Sequence, residues 1–297
     1  MDGIHFMLPT PFQSNGDVDL ASFSRLVNAA KAAGCTGVVT LGVMGEANRL
    51  TDTERGPIID AVVAAVGDDL TVTVGASAES GRALAQRVKD AQSSGATAVM
   101  IAPAKLAKPN PLATFAYYSA AQEVTSVPIV VQDLPEQTGV HLDPSFIAKL
   151  HTELPDAKYL KLEDPPTPQK VTRVVEATVG SMGIFGGLGG AFLYEELRRG
   201  AIGTMTGFAY PEVLVAIHRY MVMGDIERAR SIFYKWIPLI RYENSAGISL
   251  AVRKEILKHR GFITTSDVRP PTPPIGDDTR EELVDLMNAM DLSVENL

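Results

Sequence analysis

Lys158-Tyr159-Leu160-Lys161-Leu162-Glu163-Asp164 is the stretch on which the reading of this chain turns. As a β-strand it places Leu160 and Leu162 on one face and Tyr159, Lys161 and Glu163 on the other, because successive side chains point to opposite sides. A strand in an α/β protein is covered on both faces, so a lysine in its middle is at least partly buried. Burial disfavours the ammonium and lowers its pKa, the condition under which an amine attacks a ketone at neutral pH and forms a Schiff base. The competing reading is a lysine at a strand end that reaches back to water along its methylene stem. The surrounding chain decides between them.

Outward from this strand, short β-branched runs alternate with amphipathic segments. Gly3–Phe12, Gly37–Val43, Thr71–Ala76, Ala98–Ala102 and Pro128–Asp133 read as strands before it, and Met182–Phe185 and Gly203–Gly207 after it. Leu20 to Ala33 carries apolar residues at Leu20, Phe23, Leu26, Val27 and Ala30, one face of a helix that stops at Gly34. Thr51-Asp-Thr-Glu54 is a capping box that opens a helix running to about Val66. Gly81–Ser94, a segment ending near Val124, Asp143–Leu150 and Gln169–Ala177 complete the helical beats. Eight βα units in about 210 residues suit a closed (β/α)8 barrel; an open sheet would be expected to carry a nucleotide fingerprint after its first strand. Pro211–Arg241, Asn244–His259 and Thr279–Met290 are then surplus helices, joined through Pro270-Pro-Thr-Pro-Pro274. The expected division is an α/β TIM barrel over residues 1–222, carrying the active site, and a C-terminal helical extension over 223–297.

Composition narrows the function. The chain has 297 residues and a net charge of −8, with no run of Lys and Arg, which excludes nucleic acid and anionic membrane surfaces as partners. Cys35 is the single cysteine, so no intrachain disulfide can form and a reducing cytosol is the expected compartment. The start lacks the basic and apolar regions of a signal peptide, and no apolar run reaches the roughly 18 residues of a membrane span.

In a (β/α)8 barrel the catalytic groups sit at the C-terminal ends of the strands. That face would gather Thr10, Val43, Met44, Glu46, Gln132, Asp133, Lys161, Glu163, the Gly186–Gly190 loop and Thr206. Lys161 is the candidate nucleophile, with Glu163, Asp133 and Glu46 as candidates for proton handling. Gln132 is suited to hold a substrate hydroxyl or the carbinolamine, Thr10 and Thr206 a carboxylate, and Gly187 to leave room for a substrate chain. Each also has a structural reading: Glu46 as a loop cap, Asp133 as a turn former before Leu134-Pro135, Glu163 as an ion-pair partner of Lys161, the threonines as strand packing. His5, His141, His151, His218 and His259 show no paired ligand spacing, so no metal site is expected.

Pro9-Thr-Pro-Phe12, Gly34-Cys-Thr-Gly37, Gly42-Val-Met-Gly-Glu46, Leu50-Thr with Glu54-Arg55, Gly75, Pro128-Ile with Pro135 and Gly139, Tyr159-Leu-Lys161 and Gly200-Ala with Gly203 together resemble the dihydrodipicolinate synthase and N-acetylneuraminate lyase family of Schiff-base aldolases and dehydratases. The likeness covers nearly the whole chain. It implies a (β/α)8 barrel with C-terminal helices, a Schiff-base lysine at Lys161, no metal or organic cofactor, a small 2-oxo acid as substrate, and assembly as a dimer or tetramer. The departures from the family pattern are specific. Its G-T-T-G-E is Gly42-Val-Met-Gly-Glu46 here, so the threonine that relays protons in the synthase is Val43 and its neighbour is Met44. Its Y-N-x-P-x-R-T-G is Gln132-Asp-Leu-Pro-Glu-Gln-Thr-Gly139, which puts Gln132 in place of the proton-shuttling tyrosine and Gln137 in place of the arginine that holds a second carboxylate. Ala104 and Lys105 stand where paired tyrosines are usual. An amide cannot accept or deliver a proton near neutral pH, so the lysine-synthesis reaction is not expected. Gln132-Asp-x-Pro135, Gly203-Thr-Met-Thr-Gly207, Trp236-Ile-Pro-Leu-Ile240 and Glu243-Asn244 are similar to the 2-keto-3-deoxy-L-arabonate dehydratase subgroup, although its G-x-x-G-E region differs. The resemblance thus implies dehydration of a sugar-derived 2-oxo acid. A pyruvate-dependent aldolase, a synthase-like condensing enzyme or an idle 2-oxo acid binder are the alternatives.

Overall fold

The computed structural model describes residues 1–290, 292–294 and 297; residues 291, 295 and 296 of the expected 223–297 extension lie outside the described residues. Strands β1 (Gly3–Met7), β2 (Gly37–Thr40), β3 (Thr71–Gly75), β4 (Ala98–Ile101), β5 (Ile129–Asp133), β6 (Ala157–Leu162), β7 (Gly183–Gly186) and β8 (Gly203–Thr206) pair in sequence order, all parallel, and β8 pairs with β1 to close the barrel. Around it run α1 (Leu20–Ala33), α2 (Asp52–Val66), α3 (Gly81–Ser93), α4 (Pro111–Gln122), α5 (Pro135–Thr138), α6 (Pro144–Glu153), α7 (Thr167–Ala177), α8 (Leu193–Leu197) and α9 (Pro211–Val222), followed by α10 (Ile226–Glu243), α11 (Ser249–His259) and α12 (Asp277–Ala289). Thr51 and Glu54 form the capping box at the head of α2 that their spacing announces.

The alternation along each strand divides the apolar residues between two cores. Met7, Val39, Ala98, Met100, Val130, Phe185 and Met205 fill the barrel interior, with Tyr159 packed against them. Leu160 and Leu162 of β6 face the other way, into the layer between strands and helices that also buries Phe23, Ile58, Val99 and Val171. A filled interior leaves the chemistry to the barrel's end.

Four expectations about element boundaries are corrected. The first strand ends at Met7, not Phe12, because the chain turns away after Leu8 toward the Phe12–Val18 bridge. The second ends at Thr40, not Val43: Leu41 adopts φ 56° and Val43–Gly45 forms a 3-10 turn. The Leu41 carbonyl lies so close to Gly75 that a Cβ there would overlap it, a contact between strands that alternation along one strand cannot reveal. The helical stretch read as Pro211–Arg241 is two helices, broken where Gly224 takes φ 81° and Asp225 caps α10 by accepting from the Arg228 N–H at 3.1 Å. Its first half, α9, packs on β1 and α1 and completes the helical ring. Asn244 begins no helix; residues 244–248 are a turn, and α11 starts at Ser249.

Candidate active site

Register places the central groups. Gln132 on β5 is the pairing partner of Lys161 on β6, and both side chains project inward at the C-terminal end of the barrel. Lys161 is 2 % exposed, and its Nζ lies 3.1 Å from Glu163 Oε2, just past the end of β6. The Gln132 Nε2 donates to that same oxygen at 2.7 Å. Glu163 can lie across the barrel mouth because residue 187 is glycine: a Cβ there would stand 2.5 Å from Glu163 Cγ. Its other partner among the described residues is the thioether of Met7, 4.0 Å from Nζ. Burial pushes the Lys161 pKa down, an effect that the Glu163 carboxylate partly offsets and the Arg253 guanidinium reinforces.

A cavity of about 220 Å³ opens over Lys161 and is lined by Val43, Met44, Gln132, Glu163, Thr206 and Arg253, among others. A neighbouring cavity of about 420 Å³, extending over β2 to β5, shares Val43, Gln132, Leu134 and Gln137 with it. The lining of both contains no tyrosine among the described residues. The proton-carrying group within hydrogen-bond reach of Lys161 is therefore Glu163.

The structure gathers Lys161, Gln132, Glu163, Val43, Met44 and Thr206 around one space, with Gly187 as the backing of Glu163. It does not bring Asp133 there. Being next to Gln132 in the strand, Asp133 faces outward, where its Oδ2 lies 2.6 Å from Lys170 Nζ on α7. Burial raises its pKa to about 6. Glu46 is also elsewhere: fully buried, it accepts from Lys254 Nζ at 2.6 Å and from the Arg269 N–H at 2.8 Å. Thr10 donates to the Gly45 carbonyl at 2.6 Å and so braces the 3-10 turn from below. Among the described residues, no group of three His, Cys, Asp or Glu side chains converges in a way that could hold a metal ion.

The wall contributed by the C-terminal helices escaped the sequence reading. Asn244, in the turn after α10, and Ser249 and Arg253, on α11, line the cavity. Arg253 is 2 % exposed, and its Nε donates to Glu243 Oε1 at 2.6 Å while the Ala209 N–H donates to the other Glu243 oxygen at 2.9 Å. An Arg-Lys pair within a helical pattern reads as a solvated edge, and no periodicity shows that a barrel mouth covers it.

The sequence profile of the Dihydrodipicolinate synthetase family matches residues 1–290. An L-2-keto-3-deoxyarabonate dehydratase of Azospirillum brasilense is 30% identical over 295 residues, covering 97% of this chain and 94% of its own. A 4-hydroxy-tetrahydrodipicolinate synthase of Thermotoga petrophila is 27% identical over 286 residues, 95% of this chain and 96% of that one. Among solved structures, the dihydrodipicolinate synthase of Rhodopseudomonas palustris superposes with a TM-score of 0.92 and 32% identity over 98% of both chains.

Proposed function

The chain belongs to the dihydrodipicolinate synthetase family, and on that premise we propose that it is a lyase that dehydrates a 2-keto-3-deoxy sugar acid of the L-arabonate type through an imine on Lys161. The observation that carries this reading is the single Glu163 oxygen held between the Lys161 amine and the Gln132 amide, in a cavity whose described lining has no tyrosine. A condensing reaction of the synthase type needs a hydroxyl relay. A β-elimination needs one carboxylate beside the imine.

The steps follow from that geometry. Lys161, its ammonium disfavoured by burial, attacks the 2-oxo carbon, and loss of water from the carbinolamine gives an iminium. The iminium draws electrons from the C3–H bond, and Glu163 takes the C3 proton to leave an enamine. The enamine pair then expels the C4 hydroxyl, to which Glu163 returns the proton, so one water leaves and the carboxylate is regenerated. Gln132 fixes the carboxylate in the protonation-competent position without itself exchanging a proton. Water hydrolyses the unsaturated imine and frees Lys161. In this scheme the lysine itself is the only cofactor, and assembly as a dimer or tetramer belongs to the same reading.

Borohydride reduction followed by intact mass, with pyruvate and 2-keto-3-deoxy-L-arabonate offered separately, tests it. We expect an adduct on Lys161 with each, and from the sugar acid a product lighter by one water. Glu163→Gln should still form the adduct yet lose roughly 10²- to 10⁴-fold in turnover. Release of pyruvate and an aldehyde would replace the dehydratase by an aldolase, and an adduct on another lysine would overturn the site.

A further inference from the structure

A 2-oxo acid brings a carboxylate one bond away from the carbon that Lys161 attacks, and that anion must find a partner inside the cavity. Lys161 is engaged with Glu163. Among the described lining residues the one other cation is Arg253.

Its setting is unusual for a structural arginine. Only the Nε edge is used, by Glu243; no described protein group accepts from either Nη. A buried guanidinium with unused donors is costly unless something arrives to take them. The residue is not sealed away from the site: Arg253 is part of the cavity lining. Room for its guanidinium exists because residue 207, at the top of β8, is glycine, where a Cβ would stand 2.9 Å from Nη1 and 2.8 Å from the Met7 carbonyl. Met7, whose sulfur lies 4.0 Å from Lys161 Nζ, lines the same cavity as Arg253. The two carboxylate-binding threonines read from sequence do not supply an alternative cation, and the hydroxyl of Thr10 is already given to Gly45. Planar, doubly donating groups are the ones that hold a carboxylate in a fixed orientation.

We propose that Arg253, held at its Nε by Glu243, is the anchor for the carboxylate of the 2-oxo acid substrate. This rests on the Schiff-base reading of Lys161. It assigns recognition of the acid to the C-terminal helices and the covalent step to the barrel.

The test compares borohydride trapping by pyruvate with trapping by its neutral methyl ester, each over a range of concentrations. The ratio of their half-saturating concentrations cancels any effect of Arg253 on the reactivity of the amine. Wild-type protein should favour pyruvate over the ester by at least about tenfold, and Arg253→Gln should lose roughly 10- to 100-fold of the pyruvate affinity and with it that preference. Arg253→Lys should keep part of it. Since Arg253→Gln leaves Glu243 unpaired, the Arg253→Gln/Glu243→Gln double variant, measured against Glu243→Gln alone, gives the same comparison without a buried orphan charge. A preference for pyruvate that is the same in all variants would overturn the proposal and place the carboxylate elsewhere. Absence of any adduct in the wild type would instead overturn the Schiff-base reading, and this proposal with it.

Discussion

Two buried lysine–glutamate pairs sit within this barrel mouth, and they do different things. Lys254 and Glu46 are both fully buried, 2.6 Å apart, and every group is satisfied: Lys254 also donates to the Asp267 carbonyl at 2.7 Å and lies 4.3 Å above the Phe12 ring, while Glu46 also accepts from the Arg269 N–H. Lys161 and Glu163 are looser, at 3.1 Å, and among the described residues the amine has no oxygen acceptor other than Glu163. Burial lowers both lysine pKa values, so the shift does not separate them. Unused valence facing a cavity does. A closed network fastens the C-terminal extension to the barrel; an open one leaves an amine able to react.

The widest gap between the pairs should appear on deleting each lysine. Lys161→Ala removes the imine and should lower turnover by more than about 10³-fold, with no borohydride adduct, because no other group in the site can form it. Its melting temperature should fall less than that of a Lys254 deletion, because Glu163 keeps the Gln132 amide and borders the cavity, where water can reach it, whereas Glu46 is fully buried. A large loss of stability with turnover retained would reverse the roles assigned to the two pairs.

Lys254→Met should do the opposite. It strands Glu46 in the interior and should cost about 3–5 kcal/mol in denaturant unfolding. Adding Glu46→Gln should recover a large part of that loss, because the orphan charge and not the missing attraction dominates the penalty. If the double variant is as unstable as the single, the pair is held by packing around Phe12 and the ion pair contributes little.

Much of this was legible in the chain and some was not, for reasons that particular residues show. Period-two alternation put Lys161 inside the barrel and Leu160 outside, and the repeated βα beat closed it. The same alternation, applied to Gln132-Asp133, sends Asp133 outward to Lys170; grouping the two as neighbours in one site ignored the rule that located Lys161. Glu46 and Arg253 are different. Their partners are Lys254, 208 positions away, and Glu243, at the end of the preceding helix, and what decides their roles is which donors those contacts leave unused. Such contacts exist only once the extension folds over the barrel.

Glu196 sharpens the comparison from the other side, as a buried acid with no lysine partner among the described residues. It lies fully buried on α8, where the Thr167 hydroxyl donates to Oε1 at 2.5 Å and Oε2 has no hydrogen-bond partner among the described residues. Burial, together with the negative charges of Glu195 and Glu163, raises its pKa from 4.5 to about 7. The sign follows from linkage: below about pH 4.5 it is protonated both folded and unfolded, whereas between 4.5 and about 7 only the unfolded chain releases the proton, so stability falls as pH rises through that window. The fall should amount to no more than about 3 kcal/mol. Glu196→Gln keeps an acceptor for Thr167 and cannot ionise, so its stability relative to wild type should be greater at pH 8 than at pH 5, read as the difference in urea midpoints. Parallel pH curves for the two proteins would mean that Glu196 already ionises normally when folded, and that a buried carboxylate in this barrel does not need a lysine to hold its charge.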